Sequence, residues 1–155
     1  KKHKEILMNK FCILENKSSK ELIDLMAKDC CLSNYEIVKN SNGKPYFKDV
    51  NIYFSLSHKD NIIVGVTSSK AVGIDIERMT FRPSVVRRFF TANEEQQIKK
   101  SDDAWKTFTT IWVKKEAILK MYGYSLSEIS KIDTTSFRKY QIKEYKNYII
   151  GIVEE

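Results

Sequence analysis

The stretch Val72-Gly73-Ile74-Asp75-Ile76-Glu77 sets two carboxylates two positions apart inside an apolar, β-branched run. Such a run reads as a buried strand, and on a strand residues i and i+2 project from one face. Asp75 and Glu77 therefore share a face, while Ile74 and Ile76 fill the opposite one. Adjacent ionised carboxylates repel, and a cation, a shared proton or contact with water relieves them. A hard divalent metal is the first expectation. The alternative left open by an Asp-x-Glu taken alone is the wet polar face of an edge strand.

A chain of 155 residues makes one domain, or two small subdomains sharing a core. Its three cysteines, Cys12 and the adjacent Cys30 and Cys31, are odd in number and lack a C-x-x-C spacing. They predict reduced thiols in a cytoplasmic protein rather than a disulfide framework or a zinc site. No apolar run approaches the ~20 residues that span a bilayer, and the start lacks the charged-then-apolar plan of a signal peptide, so no membrane partner is expected. A net charge of +7 favours an anionic partner: nucleic acid, a phosphorylated cofactor or an acidic protein. The lysines are dispersed, and neither a helix-turn-helix nor a stacking-aromatic motif accompanies them, which argues against nucleic acid.

Local signals place the elements. Ile6 to Leu14 reads as a first strand, and Ser18-Ser19 with Glu21 caps a helix running to about Cys31 on the stripe Leu22, Ile23, Met26, Ala27 and Cys30. Tyr35 to Val38 is a short strand before the turn Asn40-Ser41-Asn42-Gly43, and Gly43-Lys44-Pro45 continues that turn. Residues 52–58, 61–67 and 71–77 read as three strands of one antiparallel meander, with His58 at the tip of the first. His58 suits a general base, a phosphate donor or a plain capping residue. Pro83 starts a helix carrying Arg87 and Arg88, just after Arg82. Thr91 caps a short one, which gives Glu94 a role in its first turn, and Asp102-Asp103 cap a long helix from about Ala104 to Tyr122 that Gly123 ends. Within it Glu116 and Lys120 stand at i and i+4 on one face, which by itself is an ordinary surface pair. Residues 136–145 and 148–153 form a closing hairpin turning at Lys146-Asn147.

The ordered series Gly43-Lys44-Pro45, Phe54-Ser55-Leu56-Ser57-His58, Val72-Gly73-Ile74-Asp75-Ile76-Glu77, Phe89-Phe90 with Glu94, and Trp112-Val113-Lys114-Lys115-Glu116-Ala117 with Lys120 and Gly123 resembles the 4'-phosphopantetheinyl transferases, in their larger single-chain form. The resemblance covers roughly residues 19 to 153. It implies an α+β fold of two similar helix-plus-antiparallel-sheet subdomains related by a pseudo-twofold axis, which we divide as residues 1–80 and 81–155 of one compact monomer. It implies transfer of the 4'-phosphopantetheine arm of coenzyme A to a serine of an acyl, peptidyl or polyketide carrier protein, as in holo-acyl-carrier-protein synthases. By the same resemblance Asp75, Glu77 and Glu116 are the Mg²⁺ ligands, and Glu116 also activates the acceptor serine. Lys120 neutralises phosphate, and Lys44, Ser57 and His58 contact coenzyme A; Lys120, Glu116 and His58 make up the catalytic set. Arg82, Arg87 and Arg88 are expected to flank the cleft as a carrier-docking surface. The alternatives are a catalytically idle module that binds carrier protein or coenzyme A, and a basic nucleic-acid-binding domain.

Overall fold

The computed structural model describes residues 9–155, so part of the expected first strand lies outside the described residues. Its remainder is β1 (Asn9–Glu15), followed by α1 (Ser19–Asp29), β2 (Ile37–Lys39), β3 (Pro45–Phe47), β4 (Tyr53–Lys59), β5 (Ile62–Ser68) and β6 (Val72–Arg78). Then come α2 (Pro83–Phe89), α3 (Ala92–Lys100), α4 (Ala104–Tyr122), two 3-10 turns at Leu126–Lys131 and Thr134–Ser136, β7 (Tyr140–Tyr145) and β8 (Tyr148–Glu154). The caps are those the sequence signals. Ser18 and Glu21 close a capping box on α1, Thr91 and Glu94 do so on α3, and Asp103 Oδ1 accepts from Lys106 N–H at the start of α4. Among the described residues no helix is long and apolar enough to cross a membrane.

Two three-stranded antiparallel sheets carry the fold, one ordered β1-β5-β4 and the other β6-β8-β7; β2 and β3 form a separate ribbon. In each sheet the strand that comes last in sequence lies in the middle, and in each half a helix follows the first strand. The expected meander of residues 52–77 is corrected by this pairing. β5 has both edges occupied, by β1 (Cys12 opposite Gly65) and by β4 (Ser57 opposite Val64), so β6 has no edge to join. It pairs instead with β8, Asp75 opposite Gly151. The change of sheet falls in the turn between Ser68 and Val72, and a division at 80–81 cuts β6 away from its own sheet.

Strand alternation builds the core. Ile62, Val64 and Val66 of β5 face Ile74 and Ile76 of β6 and Ile150 and Ile152 of β8, so the sheets bury one apolar layer between them. On the outer side of the first sheet, Leu22 and Met26 of α1 cover Phe54 and Ile63. On the outer side of the second lies α4, seated very close. A Cβ at Gly73 would fall 1.9 Å from Ala117 O, so only glycine lets the helix rest against β6 here. That approach brings Asp75 and Glu77, which share Gly73's face, against Glu116 and Lys120.

Candidate active site

β4 and β6 are edge strands of different sheets, and their side-by-side contact is made without a main-chain ladder. Two buried serines of β4 stand in for it. Ile74 N–H donates to Ser55 Oγ at 3.1 Å, and Ile76 N–H donates to Ser57 Oγ at 3.3 Å. The bonds satisfy edge N–H groups that would otherwise be orphaned in the interior. Ser57 Oγ in turn donates to Asp75 Oδ1 at 2.9 Å. Ser57, expected to touch coenzyme A, is thus buried and committed to the carboxylate and to the β6 backbone.

The opposite side of the same Asp75 oxygen meets α4. Lys120 Nζ stands 3.3 Å from Asp75 Oδ1 and donates to Leu56 O at 3.2 Å. Burial holds the Asp75 carboxyl above the usual carboxylate range, although Lys120 and the Ser57 hydroxyl pull it down. Glu77 turns to a different pair of cations, Lys59 Nζ at 3.0 Å and Arg82 Nη2 at 3.5 Å. Glu116, one turn before Lys120, is half-buried, and its carboxyl is pushed up to about 7, first by burial and then by the charge of Asp75. So the three acids lie within electrostatic reach of one another and are only partly compensated. Among the described residues, however, no three His, Cys, Asp or Glu groups converge closely enough to hold a metal ion. The reason lies in the partners just named: Ser57 and Lys120 aim Asp75 one way, and Lys59 and Arg82 draw Glu77 another. The donor set nevertheless suits a hard cation, being all carboxylate oxygen with unrelieved negative charge.

Glu116 and Lys120 open onto a pocket of about 410 Å³ whose walls include Lys44, Pro45, Phe54, Leu56 and Leu119. Lys44 enters from the turn before β3. Its ammonium donates to Val72 O at 2.9 Å and to Met121 O at 3.3 Å, and burial lowers its pKa to about 8. It binds two carbonyls and retains a third N–H. His58 does not line the pocket. It is exposed, one pleat beyond Leu56 on the same face of β4 and on the face opposite to Ser57.

Two features escaped the sequence reading. Ser55 gave no sign of its seam role, because the signal is the neighbouring strand. Glu94 and Lys115 form an ion pair at 2.7 Å with both side chains fully buried. Glu94 also accepts from Thr91 N–H, Thr134 N–H and Thr134 Oγ, while Lys115 donates to Ile132 O. This pair locks α3 and the second 3-10 turn onto α4 immediately behind Glu116. Of the expected docking residues, Arg82 is bound to Glu77, Arg88 lies over the Phe89 ring at 5.0 Å, and Arg87 is exposed.

Residues 71–152, the segment that contains β6, α4 and most of β8, match the family model of the 4'-phosphopantetheinyl transferase superfamily. The chain belongs to this superfamily. Among curated members it is 34% identical over 89 residues to "4'-phosphopantetheinyl transferase ffp" of Bacillus subtilis, covering 55% of this chain and 40% of that protein. It is 38% identical over 88 residues to "4'-phosphopantetheinyl transferase gsp" of Aneurinibacillus migulanus, with shares of 55% and 37%. With "4'-phosphopantetheinyl transferase AcpT" of Escherichia coli it shares 33% over 107 residues, 64% of this chain and 55% of that one. The matches thus span about half or less of these relatives' length. The mixed helix and antiparallel-sheet architecture is that expected of a superfamily member.

Proposed function

We propose that this superfamily member transfers the 4'-phosphopantetheine arm of coenzyme A to a serine hydroxyl of an apo acyl, peptidyl or polyketide carrier protein, as a holo-acyl-carrier-protein synthase does. The observation that carries the reading is a pocket lined by Glu116 and Lys120, with the buried Asp75 carboxylate 3.3 Å from the Lys120 ammonium, inside the segment the family model matches. In this reading Asp75, Glu77 and Glu116 would hold Mg²⁺, which when bound supplies Lewis-acid neutralisation of the pyrophosphate oxygens.

The remaining work falls to the chain's own groups. Glu116, which lines the pocket one turn before Lys120, would accept the proton of the attacking serine hydroxyl. The serine oxygen bonds to the β-phosphorus, the bond from that phosphorus to the bridging oxygen breaks, and adenosine 3',5'-bisphosphate leaves with the electron pair. Lys120 offsets the charge that builds on the phosphate oxygens. Lys44 would offer its third N–H to a phosphate, and His58, exposed on the same face of β4 as the pocket residue Leu56, would meet another. Ser57 acts one step back, by aiming Asp75. The free thiols of Cys12, Cys30 and Cys31 suit the reducing cytoplasm.

The test is to incubate the protein with coenzyme A, Mg²⁺ and apo carrier proteins of the acyl and peptidyl types, then weigh the carriers. A mass gain equal to one phosphopantetheine, lost with chelator and with Asp75→Ala, is the expected result. Coenzyme A binding without any transfer would reveal an idle binding module, and activity in Asp75→Ala equal to wild type would overturn the metal assignment.

A further inference from the structure

Gly123 closes α4 in the left-handed conformation, at φ 70°, and the chain doubles back. Tyr124 N–H donates to Leu119 O at 3.0 Å and Gly123 N–H to Lys120 O at 3.3 Å, the paired closure that reverses a chain after a helix. The reversal sets the residues flanking the glycine side by side. The Tyr122 and Tyr124 rings stack with centroids 5.1 Å apart and planes 21° from parallel. A side chain at position 123 would be strained at this φ and would meet Asn42 Cβ at 3.2 Å. The glycine therefore makes the stack and also seats it against the turn that carries Lys44.

This aromatic pair is not core. Tyr122 is 44% exposed, Tyr124 53% and neighbouring Leu126 55%, a cluster of exposed apolar surface of the kind that marks a binding site. Tyr124 and Leu126 line the pocket that also holds Lys44, Glu116 and Lys120. The pocket is thus lined by two lysines and by a flat aromatic ring. A simple phosphate ester would use the cations and leave the rings wet; an apolar ligand would do the reverse. A nucleotide uses both, since its base has a π-face and its phosphates are anionic.

Resting on the transferase reading, we propose that Tyr124, backed by Tyr122, is the platform on which the purine base of coenzyme A stacks, and that the site tells the nucleotide donor from a bare phosphopantetheine through this ring. Tyr124 would hold the base and not the reacting phosphate, so its loss raises the KM for coenzyme A more than it lowers kcat.

Titration calorimetry decides it with three ligands: coenzyme A, adenosine 3',5'-bisphosphate and 4'-phosphopantetheine. Tyr124→Ala should weaken the first two by about 5- to 100-fold, the range that loss of one base–aromatic stack gives, and leave the third unchanged. Tyr124→Phe, which keeps the ring, should bind all three like wild type, and Tyr122→Ala should show a smaller loss on the same two ligands. Unchanged affinity of Tyr124→Ala for coenzyme A, or an equal loss for all three ligands, overturns the stacking assignment while the transferase reading stands. A wild-type protein that binds none of the three overturns both.

Discussion

Replacing Glu116 with Gln should make the metal-free protein more stable at pH 8 and leave it almost unchanged at pH 4. The Glu116 carboxyl has a pKa of about 7 in the fold against 4.5 unfolded, raised mainly by burial and by Asp75. Because the folded state binds this proton more tightly, wild-type stability falls as pH rises from about 4.5 to about 7 and stays low above that. At about 1.4 kcal/mol per pH unit the full difference is about 3 kcal/mol. The pocket admits water, which screens the charge, so about 1.5 kcal/mol is the expected gain for the variant at pH 8. Asp75 is displaced in the same direction, and comparing wild type with Glu116→Gln across pH isolates the part that belongs to position 116. Urea unfolding at pH 4, 6 and 8 measures it, with chelator present. Adding Mg²⁺ at pH 8 should stabilise wild type more than the variant, since a cation relieves the same repulsion. A variant with the same advantage at pH 4 as at pH 8 would refute the reasoning, because the effect would then be packing and not charge.

Lys115→Met strands the Glu94 carboxylate in the interior and should cost about 3 to 5 kcal/mol of stability by urea unfolding, with Glu94→Gln added to it restoring part of the loss. Ser57→Ala frees Asp75 from its aiming bond; kcat should fall about 10-fold, a typical effect of losing a hydrogen bond to a ligating carboxylate, with the KM for coenzyme A little changed and Ser57→Thr restoring turnover. Equal loss in kcat and KM would point back to a direct contact of Ser57 with coenzyme A. Arg87→Glu with Arg88→Glu should raise the KM for carrier protein and flatten its rise with salt, leaving the KM for coenzyme A alone; unaltered carrier kinetics at low salt would place the docking face elsewhere.

Local chemistry made much of the fold legible. α4 begins after Asp103 and ends at Gly123 as the sequence predicts, because cap, apolar stripe and stop signal all lie within the helix itself. The shared face of Asp75 and Glu77 follows from strand geometry alone. What could not be read locally was pairing: β6 finds its partner at Tyr148–Glu154, and nothing between residues 52 and 77 reveals that β1 has already taken the free edge of β5. The same blindness hid the bonds of Ser57 to the neighbouring strand, and the stacked tyrosines, which meet only after the chain reverses at Gly123. Lys115 and Glu94 needed the packing of α3 on α4 before their burial had any meaning.

The order of the strands also has a consequence for how the site comes into being. β6 carries two of the acids, yet its ladder partner is the last strand, more than 70 positions further along. Until that strand arrives, the chain must close a long loop, and the entropy of doing so is spent before the pairing repays it. Asp75 and Glu77 should therefore gain hydrogen-exchange protection of their amides late in refolding, after the β4–β5 hairpin. A shortened chain lacking residues 148–154, none of which touches the pocket, should retain every proposed catalytic side chain and still assemble no site.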